Sequence, residues 1–291
     1  MKIGIVGAGK VGIAIASVLK AKGFAVTAIA SRRQESLDTA MRYVGEGTRY
    51  TLAVRDVVER SDVVGVTVQD REIPAVAREI ATHFQDLKGK VFFHTSGAHT
   101  AAELKPLDDR GANLGSLHPL QTFPDVESGI AAIPSTFIFI EGDEVAVANL
   151  EKIASHLGSE VVRIESSNKV LYHLSAVLVC NLLCALLYEG EQIMNNIGID
   201  LDPFYPIIRT TLGNIEAKGP LASLTGPVVR GDSGTTAAHM AAMKDMPQAA
   251  GVYRELSRVA LEMAKKRGAL SAEQAEVLER VLGGEKREIG K

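Results

Sequence analysis

The chain opens with Lys-Ile-Gly-Ile-Val at 2–6, passes without a break into Gly7-Ala8-Gly9-Lys10-Val11-Gly12, and continues in a helical pattern from about Val11. No other feature restricts the fold as tightly, because glycines at this spacing have a use between a strand and the helix behind it. Gly7 permits the tight turn, Gly9 lets a pyrophosphate approach the backbone, and Gly12 lets the helix close on the strand. The N–H groups of the first helical turn, with Lys10 and Val11 among them, lack intrahelical partners and sit at the positive end of the helix dipole. A dinucleotide phosphate is the ligand that such a turn suits.

From Met1 to about Glu165, short Val/Ile-rich runs alternate with amphipathic segments, the pattern of parallel strands joined by crossover helices. Strands are expected at 2–6, 25–30, 62–68, 90–94, 136–140 and 160–164. Several are apolar throughout, as strands covered on both faces should be. Beyond about Ser166 the strand signals stop and helical patterns run over 168–197, 204–217, 235–243 and 248–266, with a last helix capped by Ser271. The fold class is therefore α/β, a doubly wound Rossmann sheet followed by an all-helical C-terminal domain. The boundary falls at a helix start, which divides the chain into a dinucleotide-binding domain at 1–165 and a helical domain at 166–291.

The end of the second strand selects the dinucleotide. An acidic residue there would grip a ribose 2′-hydroxyl and repel a 2′-phosphate. The chain instead reads Ser31-Arg32-Arg33, a hydroxyl beside two guanidinium groups that match phosphate oxygens. NADP(H) is the expected cofactor. Glu35 lies just beyond and is expected inside the next helix.

At 291 residues with 46% hydrophobic side chains, the chain can bury a substantial core. Disorder is expected at the charged tail, Lys286 to Lys291. A net charge of −3 lacks the cationic excess that nucleic acid demands. Cys180 and Cys184, four apart in an apolar helical stretch, read as reduced, buried core residues. The longest apolar run, Leu174 to Leu187, is interrupted by Ser175 and Asn181 and falls short of the ~20 residues that cross a bilayer. With no secretory signal, these features indicate a cytoplasmic protein without a membrane segment.

Several segments can carry chemistry. His94-Thr95-Ser96-Gly97 leaves a strand at the edge where open α/β sheets bind ligands, so Ser96 and the Gly97 amide can hold a substrate carboxylate or a carboxamide; the bland alternative is a Ser-Gly turn. Leu117-His118-Pro119-Leu120-Gln121-Thr122-Phe123 reads as a second polar loop. On the first long helix, Lys169, His173 and Asn181 follow at intervals of four and eight along one broad face. Polar groups on so apolar a helix suggest a reactive face, with Lys169 or His173 as proton donor and Asn181 orienting substrate. Asn214 precedes a Gly/Pro-broken loop in which Arg230 either clamps a carboxylate or pairs with Asp232. No histidine or cysteine spacing points to a metal.

Together, the N-terminal glycine fingerprint, His-Thr-Ser-Gly at 94–97, Leu-His-Pro-Leu-Gln-Thr-Phe at 117–123, Tyr-His-Leu-Ser-Ala-Val at 172–177 with Asn181, and Leu-Thr-Gly-Pro-Val-Val-Arg-Gly-Asp at 224–232 resemble Rossmann-like proteins with a DUF2520 C-terminal domain. The resemblance covers nearly the whole chain. It implies an NADP oxidoreductase laid out like the 6-phosphogluconate dehydrogenase superfamily, and a homodimer formed through the helical domain. Some members are regarded as an alternative type of ketopantoate reductase in pantothenate and coenzyme A synthesis, so reduction of a small 2-keto acid, ketopantoate first, is the implied activity. Imine reduction, F420-linked reduction and a non-catalytic NADP(H) sensor are the alternatives. The usual ketopantoate reductases place an Asn four residues after the helix Lys. Here that residue is His173, which leaves the proton donor open.

Overall fold

The Val- and Ile-rich runs pair into one eight-stranded sheet of order β3-β2-β1-β4-β5-β6-β7-β8. The structure, a computed structural model, describes residues 1–283; the tail expected to be disordered lies outside them. The strands are β1 (Lys2–Val6), β2 (Ala25–Ala30), β3 (Arg49–Thr51), β4 (Val63–Val66), β5 (Val91–His94), β6 (Asn113–Pro119), β7 (Phe137–Gly142) and β8 (Glu160–Arg163). β1 to β6 are parallel, β7 turns antiparallel against β6, and β8 runs parallel to β7.

Helices cover both faces because alternate residues of each strand are apolar in both directions. On one face Ile3, Ile5 and Phe93 pack with Ile13 and Leu19 of α1 (Lys10–Ala21), Leu37 of α2 (Gln34–Val44) and Leu150 of α7 (Glu144–Leu157). On the other, Val64, Val66 and Phe92 pack with Val57 of α3 (Val54–Arg60), Ile73 and Ile80 of α4 (Ile73–His83) and Leu107 of α5 (Lys105–Asp108). A short helix, α6 (Val126–Ala132), joins β6 to β7. This is the doubly wound arrangement expected.

Two strands escaped the sequence reading. β3 is a three-residue edge. β6 includes Leu117-His118-Pro119, which reads as a loop because Ser116 and His118 interrupt its apolar pattern; partners from other elements satisfy both side chains.

The chain divides into two compact units, Met1–Leu178 and Val179–Lys291. The first keeps α8 (Lys169–Ala176), which runs through a π-helical turn (Val177–Asn181) into α9 (Leu182–Asn195). The second also holds α10 (Tyr205–Ser223), α11 (Ser233–Ala242), α12 (Pro247–Lys266) and α13 (Ala272–Gly283). Non-helical Gly219, followed by Pro220, breaks α10 near where its pattern ends. Ser271 caps α13 reciprocally: its Oγ accepts from the Gln274 N–H at 3.1 Å, and its own N–H donates to Gln274 Oε1 at 2.9 Å. A small core gathers Val228, Leu261, Leu278 and Leu282.

Two expectations about the long helix are corrected. Cys180 and Cys184 are free, yet exposed. The helical run Ser166–Asn195 is, by length and composition, long and apolar enough to cross a membrane, with a mean hydropathy of 2.2 over an 18-residue window of which none is buried. Ser175 does not end it, since its Oγ donates back to the Leu171 carbonyl at 3.0 Å.

Candidate functional site

The C-terminal ends of β1, β2 and β4 surround a cavity of about 650 Å³. Gly7 adopts φ +114°, which ordinary residues avoid, and its N–H donates to the Ala30 carbonyl at 2.8 Å. Thr67, just beyond β4, clamps the turn by donating Oγ1 to the Gly7 carbonyl at 2.7 Å. A Cβ on Gly12 would collide with Thr67 Oγ1 and that same carbonyl, so the helix can approach this closely through glycine alone. At Gly9 a Cβ would meet nothing nearer than 3.9 Å, and the turn lies open to a ligand.

The intrahelical ladder of α1 begins when Ile13 N–H donates to the Gly9 carbonyl at 2.9 Å, which leaves the N–H groups of Lys10, Val11 and Gly12 ahead of it. No acidic residue stands in that first turn. The Lys10 ammonium donates to the Pro124 carbonyl at 2.6 Å, so Lys10 offers the turn its backbone. Ser31, Arg32 and Arg33 line the cavity at the tip of β2. Glu35 is inside α2, as expected. Arg71 and Glu72, unnoticed in the sequence, line the same wall, and Glu72 Oε2 accepts from Arg32 Nη1 at 3.0 Å.

Further along the sheet edge, β5, β6 and α8 bring a second group of polar residues together. His94 is fully buried; its Nδ1 accepts the Ser96 N–H at 3.1 Å and its Nε2 lies 2.8 Å from the Thr100 carbonyl. These partners fix a neutral ring protonated on Nε2. Burial, with the nearby Lys169 charge, lowers its pKa to about 4. Ser96 donates to Asp70 Oδ2 at 2.7 Å and accepts the His99 N–H at 3.1 Å.

Gly97 is the contact point. A Cβ there would stand 2.6 Å from His173 Cδ2 and 2.9 Å from His118 Nε2, so both imidazoles crowd its backbone. His118 Nδ1 lies 2.7 Å from the Tyr172 hydroxyl, and Tyr172 stacks on Phe139 with centroids 4.0 Å apart. Burial and then the Lys169 charge lower the His118 pKa to about 4, while burial raises that of Tyr172. The pair is therefore a neutral imidazole against a protonated phenol near neutral pH.

Lys169 points elsewhere. Its ammonium is wholly buried, donates to Ser116 Oγ, and lies 3.3 Å from Glu141 Oε1. Glu141 in turn accepts the Ala101 N–H at 2.8 Å and the Ser166 hydroxyl at 2.7 Å. Burial lowers the Lys169 pKa, and the Glu141 carboxylate opposes that fall. The ammonium thus closes a buried network with Ser116 and Glu141. Of the face expected on the long helix, Lys169 and His173 fall in the first unit, with His173 half-buried beside Gly97. Asn181 is exposed in the second unit, at the end of a π turn whose wider pitch rotates later residues off a regular helical face.

The remaining expected residues lie in the second unit. Asn214 and Arg230 are exposed. Asp232 caps α11, accepting from the Thr235 N–H at 2.9 Å and the Thr235 hydroxyl at 2.7 Å. Among the described residues, no cluster of three or more His, Cys, Asp or Glu side chains is placed to hold a metal ion.

A model of the Rossmann-like domain matches residues 1–119, and one described as a domain of unknown function, DUF2520, matches 136–260. No curated protein matches the chain. Among solved structures, the chain is similar to a candidate NADP oxidoreductase from Bacteroides fragilis at 25% identity and TM-score 0.72, over 89% of this chain and 96% of that one. Protein TM1727 from Thermotoga maritima is 26% identical with TM-score 0.72, over 91% and 99%. A reductive aminase from Aspergillus terreus, in complex with NADPH and ethyl-5-oxohexanoate, shares the fold at 16% identity and TM-score 0.71, over 96% and 98%.

Proposed function

Because the chain joins a Rossmann-like domain to a DUF2520 domain, we propose that it is an NADPH-dependent oxidoreductase that reduces a small carbonyl or imine compound. The observation that carries this reading is the cavity over the open Gly9 turn, walled by Ser31, Arg32 and Arg33 where a ribose-binding carboxylate would otherwise stand at the tip of β2. The residues present fit NADP(H): the N–H groups of Lys10, Val11 and Gly12 would hold the pyrophosphate, and Ser31 with the two arginines the 2′-phosphate. When bound, the reduced dinucleotide supplies the hydride.

The protein's own task is then to position the substrate and deliver a proton to its heteroatom. His118 and Tyr172 are suited to delivery. The phenol stays protonated through its burial, and the neutral imidazole beside it can reprotonate the phenolate by relay, passing its Nδ1 proton to the Tyr172 oxygen as Nε2 takes one from solvent. His173 closes the other side of Gly97. Lys169 acts as a positioning residue, since it ties the start of α8 to β6 and β7 and so sets where Tyr172 and His173 stand.

A small 2-keto acid, ketopantoate first, is the substrate to try, with Ser96 and Gly97 as candidate contacts. An imine is the second reading. It is favoured by the half-exposed Asp70 carboxylate beside Ser96, which would attract an iminium cation. The active form is a homodimer: α9 and α10 bury no residue in the single chain, and Leu178, Val179 and Ile207 are 55%, 69% and 63% exposed. Free Cys180 and Cys184 suit a reducing compartment such as the cytoplasm.

The test is turnover of NADPH with ketopantoate and with a cyclic imine, in the natural protein and in Tyr172→Phe and His118→Asn. Losses in kcat of about a hundredfold at unchanged NADPH affinity are expected for both variants. Full kcat in both would remove this pair from the mechanism.

A further inference from the structure

Arg71 and Glu72 form the turn that enters α4, on the wall of the cavity facing Ser31-Arg32-Arg33. Glu72 is the least exposed of the charged groups that meet here, at 27%, against 84% for Arg32 and 80% for Arg71. Its two oxygens divide between the arginines: Oε2 lies 3.0 Å from Arg32 Nη1, and Oε1 lies 3.5 Å from Arg71 Nε. Two guanidinium groups from different loops are thus gathered by one carboxylate. Glu72 is the N-cap residue of α4, where the helix dipole favours a negative charge.

A phosphate monoester offers the same donors oxygens of the same sign of charge, with a larger total charge and wider reach, and guanidinium groups bind phosphate more strongly through paired N–H donors than through one. We propose that Arg71 is a third arginine ligand of the cofactor 2′-phosphate and that Glu72 is a placeholder which the phosphate displaces. The placeholder keeps Arg32 and Arg71 gathered at the ribose end of the cavity in the free protein. It also competes with the phosphate, and so sets how strongly the 2′-phosphorylated dinucleotide is preferred. This inference rests on the NADP(H) reading and adds a second loop to the specificity site.

The test is equilibrium binding of 2′,5′-ADP and of 5′-AMP to the full chain, followed by calorimetry. In the natural protein, 2′,5′-ADP should bind more tightly. Glu72→Gln frees both arginines and should tighten 2′,5′-ADP about three- to tenfold with 5′-AMP unmoved, the scale of one partly exposed ion pair. Arg71→Ala should weaken 2′,5′-ADP about five- to thirtyfold. Glu59→Gln, which removes the same charge from an exposed pair with Arg55, should change neither. If Glu72→Gln leaves 2′,5′-ADP binding unchanged, or if Glu59→Gln tightens it as much, the placeholder is wrong. An Arg71→Ala protein with full affinity removes the third arginine from the site. A natural protein that binds 2′,5′-ADP no better than 5′-AMP overturns the NADP(H) reading itself.

Discussion

Lys169 shows what a single residue can and cannot reveal. A lysine on so apolar a helix stands out in the sequence, yet the groups that decide its role, Ser116, Glu141 and Ser166, lie on β6, on β7 and just ahead of α8. Spacing along one helix cannot report partners brought in by strand pairing. His118 and Tyr172 were hidden for the same reason: one sits on a strand that reads as a loop, and the other was passed over beside His173. Their environment has a measurable consequence. His94 and His118 titrate near 4 when folded, against 6.5 for the free ring, so between those values the unfolded chain binds more protons. Stability should be complete above about pH 6.5 and fall as the pH drops towards 4, by as much as about 3 kcal/mol per imidazole. Urea midpoints measured from pH 7.5 to 4.5 check this; a flat profile would mean that the two rings are not held neutral.

At the level of elements, α1 and its glycine turn were legible because a strand, a turn and a helix start follow one another within a dozen residues. α8 and α9 were legible as helix but not as surface. Apolar residues on every side suggest a core, and the two cysteines were read that way. In the single chain, however, the window is unburied and both thiols are exposed. A helix of this kind needs a cover that the described residues of its own chain do not provide. The start of the run is tied to the sheet by buried Lys169 and by Tyr172 on Phe139, which favours a protein partner over lipid. Leu178→Glu with Val179→Glu should therefore halve the particle mass in light scattering without loss of helical signal. A doubly substituted protein that keeps the mass of the natural one would place the interface elsewhere.

For the molecule as a whole, the α/β class and the helical second half follow from periodicity, because each is set by local patterns repeated along the chain, whereas the order of strands depends on pairing that no local pattern reports. Nor could periodicity supply the far wall of the cavity. Arg71 and Glu72 face Arg32 across a crossover connection, some forty residues away along the chain, and no motif marks them. The central claim is that this cavity selects NADPH for reduction of a small carbonyl or imine compound. Its most direct measurement is oxidation of NADPH and of NADH, in parallel, by the natural protein with ketopantoate and a cyclic imine. Substrate-dependent loss of NADPH is expected to be at least about tenfold faster than that of NADH. Equal or faster consumption of NADH would contradict the cofactor assignment, and tight NADPH binding with no oxidation by either substrate class would point to a sensor in place of an enzyme.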